Sequence, residues 1–400
     1  MLKIVADKNI PFVQSAFATL GEVRLMPGRD IAAAVLRDAD MLLVRSITEV
    51  NAALLAGTPV KFVGTATIGM DHLDCDYLHH QKITYASAAG CNANAVAEYL
   101  CAALLFCAVQ RNLTLENLTI GIVGVGNVGS KVAAKAAALG LRVLLNDPPR
   151  ARRLTGAERE QSPFLPLPEL LQADLITLHT PLTHSGPHAT FHLFDENTLR
   201  RMKPGSLLIN TARGAVVDNA ALKAVLRDKH LSAAILDVWE NEPQIDAELL
   251  QHVMLATPHI AGYSFEGKLR ATQMIYEAAC RFLQVKPEWD ATPFIPNIDQ
   301  PIILLDRNIL DGNRRLNEAV RHTYDIAADD YRLRQGFTGS QTRAESQGRW
   351  FDRLRHDYVY RREFSNYLIK NLNEDEPAAA VLRGIGFKVN GDESEGGQRL

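Results

Sequence analysis

The sequence is poor in cysteine, balanced in charge and without a long uninterrupted apolar run. Its five cysteines form no C-x-x-C pair, which argues against a disulfide framework and against a zinc site. The formal net charge is only −3, so no long-range attraction to nucleic acid or to an anionic membrane is expected. The N-terminus lacks the apolar core of a signal peptide, and the most apolar stretch, Ala93 to Val109, is interrupted by Glu98. We expect a cytoplasmic protein with no nucleic-acid or membrane partner.

What the sequence does contain is a regular alternation of short aliphatic runs with helical patterns, from residue 1 to about residue 285. Alternation of this kind predicts parallel sheets with helices on both faces. Five runs predict a first sheet: Lys3–Ala6, Glu22–Leu25, Met41–Val44, Phe62–Gly64 and Thr84–Ala86. A second series begins at Leu118 and reads LTIGIVG, LRVLLN, DLITLHTP, SLLINTAR and SAAILDVW. The fold class is therefore α/β, with two Rossmann-like doubly wound parallel sheets.

After Lys286 the composition changes to a proline-rich linker and then to a segment rich in arginine and aromatic residues. A strand–helix–strand pattern ends near Val389, which predicts a smaller α+β domain at the C-terminal end. The expected domains are a substrate-binding domain over 1–95 and 265–285, a dinucleotide-binding domain over 96–264 and a C-terminal domain over 286–390. Residues 391–400 are polar and glycine-rich, and we expect them to be disordered. The helical patterns Ala93–Val109 and Phe265–Leu283 would connect the first two domains.

A glycine turn lies between the strand LTIGIV and the helix NVGSKVAAKAAALG. Gly124 permits the tight turn, Gly126 lets a pyrophosphate approach the backbone, and Gly129 lets the helix pack closely on the strand. The start of the helix, Asn127 and Val128, offers unpaired N–H groups to the phosphates. The spacing alone is a weak signal, because a nucleotide-free α/β domain can carry the same turn. The strand before it and the helix after it favour a bound dinucleotide.

Asp147 follows the next strand, 23 residues after Gly124. A carboxylate at this position can accept hydrogen bonds from the adenosine ribose and would repel a 2′-phosphate, which favours NAD over NADP. Arg150, Arg152 and Arg153 follow closely and leave the NADP alternative open.

Three charged residues follow later strands: Arg213 in NTARGAVVD, Glu242 in DVWENEP and His259 in TPHIAGYS. Oxidation of a hydroxyl beside a carboxylate needs a cation to hold the carboxylate and a base to take the hydroxyl proton. The arginine fork suits the first task and a histidine suits the second. An acid paired with the other ring nitrogen would orient that histidine. Taken singly, each residue is better explained as a loop or surface side chain. Their joint placement at strand ends predicts catalysis.

These segments, together with GIVGVGNVG and LHTPLT, resemble the D-isomer-specific 2-hydroxyacid dehydrogenases. Further segments are similar to a branch of that family that acts on a small phosphorylated 2-hydroxy acid: VRSIT, KFVGTATIGMDHLD, GCNANAVAEY, NDPPR, HIAGYSFEGK, FDRLRHDY and RREFS. The resemblance extends over about residues 1–390. It implies an NAD-dependent enzyme that forms a homodimer through its C-terminal domain.

On the positions of this sequence, the resemblance implies catalytic roles for Arg213, Glu242 and His259, with His259 as the proton donor or acceptor. Besides the glycine turn, it implies NAD contacts at Asp147, Thr180, Thr211, Ala212, Arg213, Asp237 and Gly262. It implies substrate contacts at Ser46, Thr67 and Tyr263. From the residues themselves we add the hypothesis that Arg45 or Ser46 binds the substrate phosphate, with an ion pair between Arg45 and a neighbouring acid as the alternative.

Two alternative functions remain open at this point. Another NAD-dependent D-2-hydroxyacid dehydrogenase, for example one acting on 3-phosphoglycerate, would carry the same catalytic residues. A non-enzymatic NAD-sensing regulator on the same fold would not need the arginine, the glutamate and the histidine. His184, His188 and His192 recur at a spacing suited to metal ligands on a helix, but Gly186 and Pro187 interrupt any such helix, so no metal is expected.

Overall fold

The computed structural model describes residues 1–306, 308–309, 311–338, 344–372 and 376–390. The described chain divides into two compact units. Among the described residues, the first unit comprises Met1–Ala93 and Ser264–Asp299, and the second comprises Asn94–Tyr263 and those from Gln300 to Asn390. A separate domain over 286–390 stays a prediction, and the expected disordered tail, 391–400, lies outside the described residues.

The strands and helices are numbered here in chain order. The strands are β1 (Leu2–Asp7), β2 (Gly21–Met26), β3 (Met41–Val44), β4 (Phe62–Thr65), β5 (Thr84–Ser87), β6 (Thr119–Val123), β7 (Arg142–Asn146), β8 (Leu175–Leu178), β9 (Leu207–Asn210), β10 (Ala233–Leu236), β11 (Leu255–Ala256), β12 (Ile302–Leu304), β13 (Leu368–Lys370) and β14 (Lys388–Val389). The α-helices are α1 (Val13–Phe17), α2 (Ala52–Leu55), α3 (Cys75–His80), α4 (Ala93–Arg111), α5 (Asn127–Ala138), α6 (Pro148–Ala151), α7 (Ala157–Glu160), α8 (Leu167–Leu170), α9 (Glu196–Arg201), α10 (Asn219–Arg227), α11 (Ala247–His252), α12 (Phe265–Leu283), α13 (Gly312–Thr323), α14 (Ile326–Gln335), α15 (Ala344–His356) and α16 (Pro377–Ile385). Short 3₁₀ helices lie at Gly28–Asp30, Ala33–Leu36, Leu115–Asn117, Gly214–Val216, Thr292–Phe294 and Phe364–Asn366.

The first unit is built on a parallel sheet in the order β2-β1-β3-β4-β5. All five predicted strands are present, and both β3 and β4 consist entirely of buried residues, as expected for strands covered on two faces. Helix α12 has the predicted bounds and returns the chain to this unit. There Ile275 and Tyr276 join the core made by Ile4, Phe17 and Met41.

The second unit contains a parallel sheet in the order β11-β10-β9-β8-β6-β7. Beyond the edge strand β7, Phe164 forms a single parallel bridge with Leu145. If this bridge is counted as a seventh strand, the sheet has a doubly wound order, in which all strands are parallel and the strand order reverses between β6 and β8. The predicted fold class is confirmed.

Helix α4 is long and apolar enough to cross a membrane by length and composition alone. Within the protein, however, 78% of its apolar window is buried, so it is a core helix of the second unit. Its one acidic residue, Glu98, is also buried and accepts hydrogen bonds from the side chain of Asn94 and the backbone N–H of Phe364.

The C-terminal residues add a three-stranded parallel sheet in the order β12-β13-β14. The predicted strand–helix–strand pattern is confirmed as β13, α16 and β14. Two side chains of the preceding helices, Leu333 of α14 and Phe351 of α15, are fully buried in the same core cluster as Leu236 and Trp239. The C-terminal segment therefore shares a hydrophobic core with the sheet that carries the glycine turn.

Candidate active site

The glycine turn follows β6 at the point where the strand order reverses. Gly124 has a φ of +86°, a left-handed conformation that favours glycine. A Cβ on Gly124 would lie 2.8 Å from the carbonyl oxygen of His179, directly after β8. A Cβ on Gly129 would lie 2.0 Å from the carbonyl oxygen of Gly124. Gly126, by contrast, has no described heavy atom within 4 Å of its Cβ position, which leaves its backbone open to a ligand.

The groups around this turn fit a dinucleotide. No described side chain caps the first turn of α5, and no acidic residue lies in that turn, so its N–H groups are available to phosphates. The hydroxyl of Thr180 is buried and has no hydrogen-bond partner among the described residues. Asp147 accepts from the backbone N–H groups of Val125 at 2.9 Å and Arg150 at 3.0 Å, which fixes its carboxylate beside the turn. The Arg150 guanidinium donates to the carbonyl oxygen of Val125.

A histidine and a glutamate form a hydrogen-bonded pair in the second unit. Nδ1 of His259 lies 2.7 Å from Oε2 of Glu242, and Oε1 of Glu242 accepts from the backbone N–H of Trp239 at 2.8 Å. Burial would raise the pKa of Glu242, but the charge and hydrogen bond of His259 and the Trp239 N–H outweigh it and hold that pKa below its usual value. Glu242 is therefore ionised and lies where its carboxylate can orient the imidazole.

The backbone around His259 is held by Asp237, which follows β10. His259 has a φ of +58°, and its N–H donates to the carbonyl oxygen of Asp237 at 2.7 Å. The Asp237 carboxylate accepts from the Thr257 hydroxyl at 2.6 Å and from the N–H groups of Ile260 at 2.8 Å and Ala261 at 3.0 Å. Burial raises the pKa of Asp237. The carboxylate that the resemblance assigned to NAD binding thus has a clear structural task in shaping the His259 loop.

Arg213 lies in the loop after β9. Asn210, the last residue of β9, holds this loop by two side-chain hydrogen bonds. The Asn210 side chain accepts from the Ala212 N–H and donates to the Arg213 carbonyl oxygen, each at 3.0 Å. A Cβ on Gly214 would lie 1.9 Å from the carbonyl oxygen of Trp239, so the loops after β9 and β10 touch through their backbones. The structure therefore brings the loops of Arg213, Glu242 and His259 together within one unit.

Thr211, in the same loop, lies beside the partly buried side chain of His179. The Thr211 hydroxyl is 3.3 Å from Nδ1 of His179, and the Thr177 hydroxyl is 3.0 Å from Nε2 of the same ring. Burial lowers the pKa of His179 to about 3, so its ring is neutral at physiological pH.

The predicted phosphate and substrate residues Arg45, Ser46 and Thr67 lie in the first unit, after β3 and β4. Ser46 is exposed, and the Thr67 hydroxyl donates to the carbonyl oxygen of Gly69 at 2.9 Å. Nε of Arg45 is 2.9 Å from the buried carboxylate of Asp7. The ion pair left open as an alternative is therefore present, and it engages Nε of the guanidinium.

Two arginines near the site, Arg355 and Arg361, were missed by sequence reasoning. Arg355, on α15, hydrogen-bonds the side chain of Tyr263. Burial would lower the pKa of Arg355, but its interactions with Tyr263 and Glu242 outweigh burial and raise that pKa. Both lie in segments that carry the family resemblance, FDRLRHDY and RREFS, but each segment contains two arginines and no spacing distinguishes the one that contacts the site.

The three histidines considered as metal ligands do not form such a site within the described residues. No group of three or more His, Cys, Asp or Glu side chains in that part of the chain could hold a metal ion. Nε2 of His192 instead lies 2.7 Å from the carboxylate of Glu240, and its ring stacks on Phe191 at 4.1 Å between centroids.

Comparison with known proteins agrees with this geometry. The family model described as "D-isomer specific 2-hydroxyacid dehydrogenase, NAD binding domain" matches residues 108–261, and a domain of unknown function matches residues 294–386. The erythronate-4-phosphate dehydrogenase of Escherichia fergusonii is 44% identical over 97% of this chain and 98% of that protein. The protein of that name from Cronobacter sakazakii is 45% identical over the same shares.

Solved structures show the same fold. The D-lactate dehydrogenase of Aquifex aeolicus, complexed with NAD and lactic acid, is 25% identical with a TM-score of 0.55 and covers 70% of this chain and 95% of its own. The 3-phosphoglycerate dehydrogenase of Entamoeba histolytica, with NAD+ bound, is 24% identical with a TM-score of 0.60 and covers 72% of this chain and 98% of its own. At that identity the second likeness shows the fold alone.

The glycine turn at the reversal point, the matched NAD-binding domain and the His259–Glu242 pair define an NAD-dependent dehydrogenase of the D-isomer specific 2-hydroxyacid class. The predictions of an enzyme of this class and of NAD as its cofactor are confirmed. The curated relatives match almost from end to end, including the C-terminal segment. The chain therefore belongs to the erythronate-4-phosphate dehydrogenase family.

Proposed function

We propose that this chain oxidises 4-phospho-D-erythronate to (R)-3-hydroxy-2-oxo-4-phosphooxybutanoate with NAD, as a step of pyridoxal 5′-phosphate biosynthesis. The names of the curated relatives support the substrate. The observation that carries the chemistry is the 2.7 Å hydrogen bond between His259 and Glu242, in a unit where the Arg213 loop touches the Glu242 loop.

His259 is the group that takes the hydroxyl proton of the substrate. Because Nδ1 faces the Glu242 carboxylate, Nδ1 carries the hydrogen and Nε2 is left as the acceptor. Once Nε2 has taken the proton, the ring is positively charged and the ionised Glu242 stabilises it. NAD, when bound, accepts the hydride.

Arg213 holds the substrate carboxylate and stabilises charge that develops on the oxygen at the reacting carbon. The position of its backbone depends on the hydrogen bonds of the Asn210 side chain and on the contact between Gly214 and Trp239. An arginine whose backbone is held in this way orients the hydroxy acid before the reaction, which lowers the entropic part of the barrier.

The binding residues follow from the resemblance and from the fit of the site. We propose NAD contacts at Gly124, Gly126, Asn127, Val128, Gly129, Asp147, Thr180, Thr211, Ala212, Arg213, Asp237 and Gly262. We propose substrate contacts at Arg45, Ser46, Thr67 and Tyr263. The open backbone at Gly126 and the unpartnered Thr180 hydroxyl, both judged within the described residues, support the NAD contacts.

We also propose that the chain is a cytoplasmic homodimer joined through residues 286–390, with no nucleic-acid or membrane partner. Large apolar side chains in this range are exposed in the single chain, including Leu304 at 63%, Tyr331 at 64% and Val359 at 88%. A partner subunit that covered them would remove apolar surface from water. Light scattering of the purified protein measures the subunit number directly, and a monomer at micromolar concentration would contradict the dimer.

The proposed activity is tested by the rate of NADH formation with 4-phosphoerythronate, unphosphorylated erythronate and 3-phosphoglycerate. We expect the highest kcat/KM with 4-phosphoerythronate, and we expect a kcat about 10²- to 10⁴-fold lower in a His259→Ala control that still binds NADH. A higher kcat/KM with 3-phosphoglycerate would mean that the chain is a 2-hydroxyacid dehydrogenase with that compound as its substrate. Absence of turnover with any 2-hydroxy acid would favour a non-enzymatic NAD-sensing regulator.

A further inference from the structure

A buried arginine from the C-terminal segment binds the loop that follows His259. Arg361, 7% exposed, donates through Nη1 to the carbonyl oxygens of Ile260 and Tyr263, each at 3.2 Å. Through Nη2 it donates to the carbonyl oxygen of Ala261. One guanidinium therefore binds three carbonyl oxygens within four consecutive residues.

The same guanidinium is itself held in place from other sides. Nη2 donates to the carbonyl oxygen of Ala95 at 3.1 Å, close to the start of the core helix α4. The guanidinium lies over the ring of Tyr324, 4.3 Å from its centroid, where cation–π attraction is favourable. Nη1 also lies 3.4 Å from the Tyr358 hydroxyl. These contacts hold the Arg361 guanidinium in place, so its hydrogen bonds to the loop restrain the loop backbone.

Asp237 binds two of the same residues through their N–H groups. Its carboxylate accepts from the N–H groups of Ile260 and Ala261, whereas Arg361 donates to the carbonyl oxygens of those two residues. Hydrogen bonds to charged groups are stronger than those between neutral groups, and both charges here are buried. The loop backbone is therefore fixed by a buried anion and a buried cation acting on the same residues.

Arg361 lies in a different matched domain from most of the loop that it binds. The match to the NAD-binding domain family ends at residue 261, and the match to the domain of unknown function begins at residue 294. Arg361 belongs to the latter, yet it contacts the loop that begins at His259 and contains Tyr263. A segment outside the matched NAD-binding domain therefore fixes the backbone next to the proton acceptor.

We propose that Arg361 is a positioning residue for the reaction, which sets the backbone of residues 259–263 so that the His259 ring and the Tyr263 side chain meet the substrate. This rests on the proposed function, in which His259 takes the proton and Tyr263 contacts the substrate. The C-terminal segment then takes part in catalysis through the loop, in addition to any part in assembly.

The test compares two substitutions at Arg361 with a matched control. Arg361→Met removes all the donors, and because a misplacement of about 1 Å can cost a rate factor of about 100, we expect kcat to fall about 100-fold. Arg361→Lys keeps the charge but has a single nitrogen that cannot reach every carbonyl, and we expect a loss of about ten-fold. The lysine variant keeps the test decisive if the methionine variant does not fold.

Arg334 provides the control because it has the same chemistry away from the loop. It lies on α14 and donates to the carbonyl oxygens of Leu250 at 2.6 Å and Val253 at 3.0 Å. Arg334→Lys therefore weakens arginine–carbonyl contacts of the same C-terminal segment without touching residues 259–263. We expect its kcat to stay within about two-fold of the wild type, since no group at the reacting atoms moves.

Hydrogen exchange measured by mass spectrometry supplies a readout that does not depend on turnover. In Arg361→Lys we expect faster exchange in the peptide that contains residues 258–264, and in Arg334→Lys we expect no change there. A folded Arg361→Lys with wild-type kcat, or an equal loss of kcat in both lysine variants, overturns the proposal. If the wild type oxidises no hydroxy acid, the proposed function fails, while local exchange still decides whether Arg361 positions the loop.

Discussion

Replacement of Gly214 by alanine should impair catalysis by separating two loops of the active site. A Cβ at this position would lie 1.9 Å from the carbonyl oxygen of Trp239 and 2.6 Å from the backbone nitrogen of Glu240. Both atoms belong to the backbone, so neither can move away by a change of side-chain rotamer. Real Cβ contacts are essentially never shorter than 3.0 Å, so the loops must move apart by about 1.1 Å.

This displacement acts on both loops of the proposed catalytic set. Arg213 immediately precedes Gly214, and the Glu242 carboxylate accepts its backbone hydrogen bond from Trp239. Since a misplacement of about 1 Å can reduce the rate about 100-fold, Gly214→Ala should lower kcat/KM by about that factor. The corresponding loss of transition-state stabilisation is about 2.7 kcal/mol.

The assay is the initial rate of NADH formation as a function of substrate concentration, with thermal unfolding to show that the variant is folded. Gly312→Ala is the matched control, because no described heavy atom lies within 4 Å of that Cβ position at the start of α13. We expect the control to have wild-type kcat/KM and to bind NADH normally. A folded Gly214→Ala with unchanged kcat/KM would refute the argument that the spacing of these loops sets the rate.

Three further outcomes are expected. His259→Ala should lower kcat about 10²- to 10⁴-fold while NADH binding, followed by fluorescence, stays intact; near-normal turnover would remove His259 as the proton acceptor. Arg45→Ala should raise the KM for the phosphorylated substrate, and an unchanged KM would leave Arg45 as only the partner of Asp7. Burial, aided by the charge of Glu363, raises the pKa of Glu98 from 4.5 to about 8. The protonated form is then favoured in the folded chain, so this contribution to stability is complete below pH 4.5 and is lost as the pH rises through about 8. Denaturant titrations across this range should show the loss in the wild type and little of it in Glu98→Gln; equal pH dependence of the two would contradict the raised pKa.

Much of the fold could be predicted because its signals are local. The strand β3 and the helix α12 have the predicted bounds, since a run of buried aliphatic residues and a 3.6-residue apolar period each identify one element. The glycine turn was predictable for the same reason, because the backbone conformation at Gly124 is a property of the turn itself. Very short elements escaped prediction. The strand β11 has two residues, and the pairing at Phe164 is a single bridge that depends on the neighbouring strand.

The sequence by itself therefore determined the class of fold and the position of the glycine turn, and it predicted the residue types of the proposed catalytic set. Tertiary structure decided how those residues act together. The pairing of His259 with Glu242, the contact of Gly214 with Trp239 and the bonds of Arg361 to residues 260–263 join separate elements, and the last of these spans about 100 residues of chain. Such contacts are fixed by the packing of whole loops and helices on a shared core. No local pattern in the chain encodes them, because the partner of each residue exists only after the sheets and the C-terminal segment have assembled.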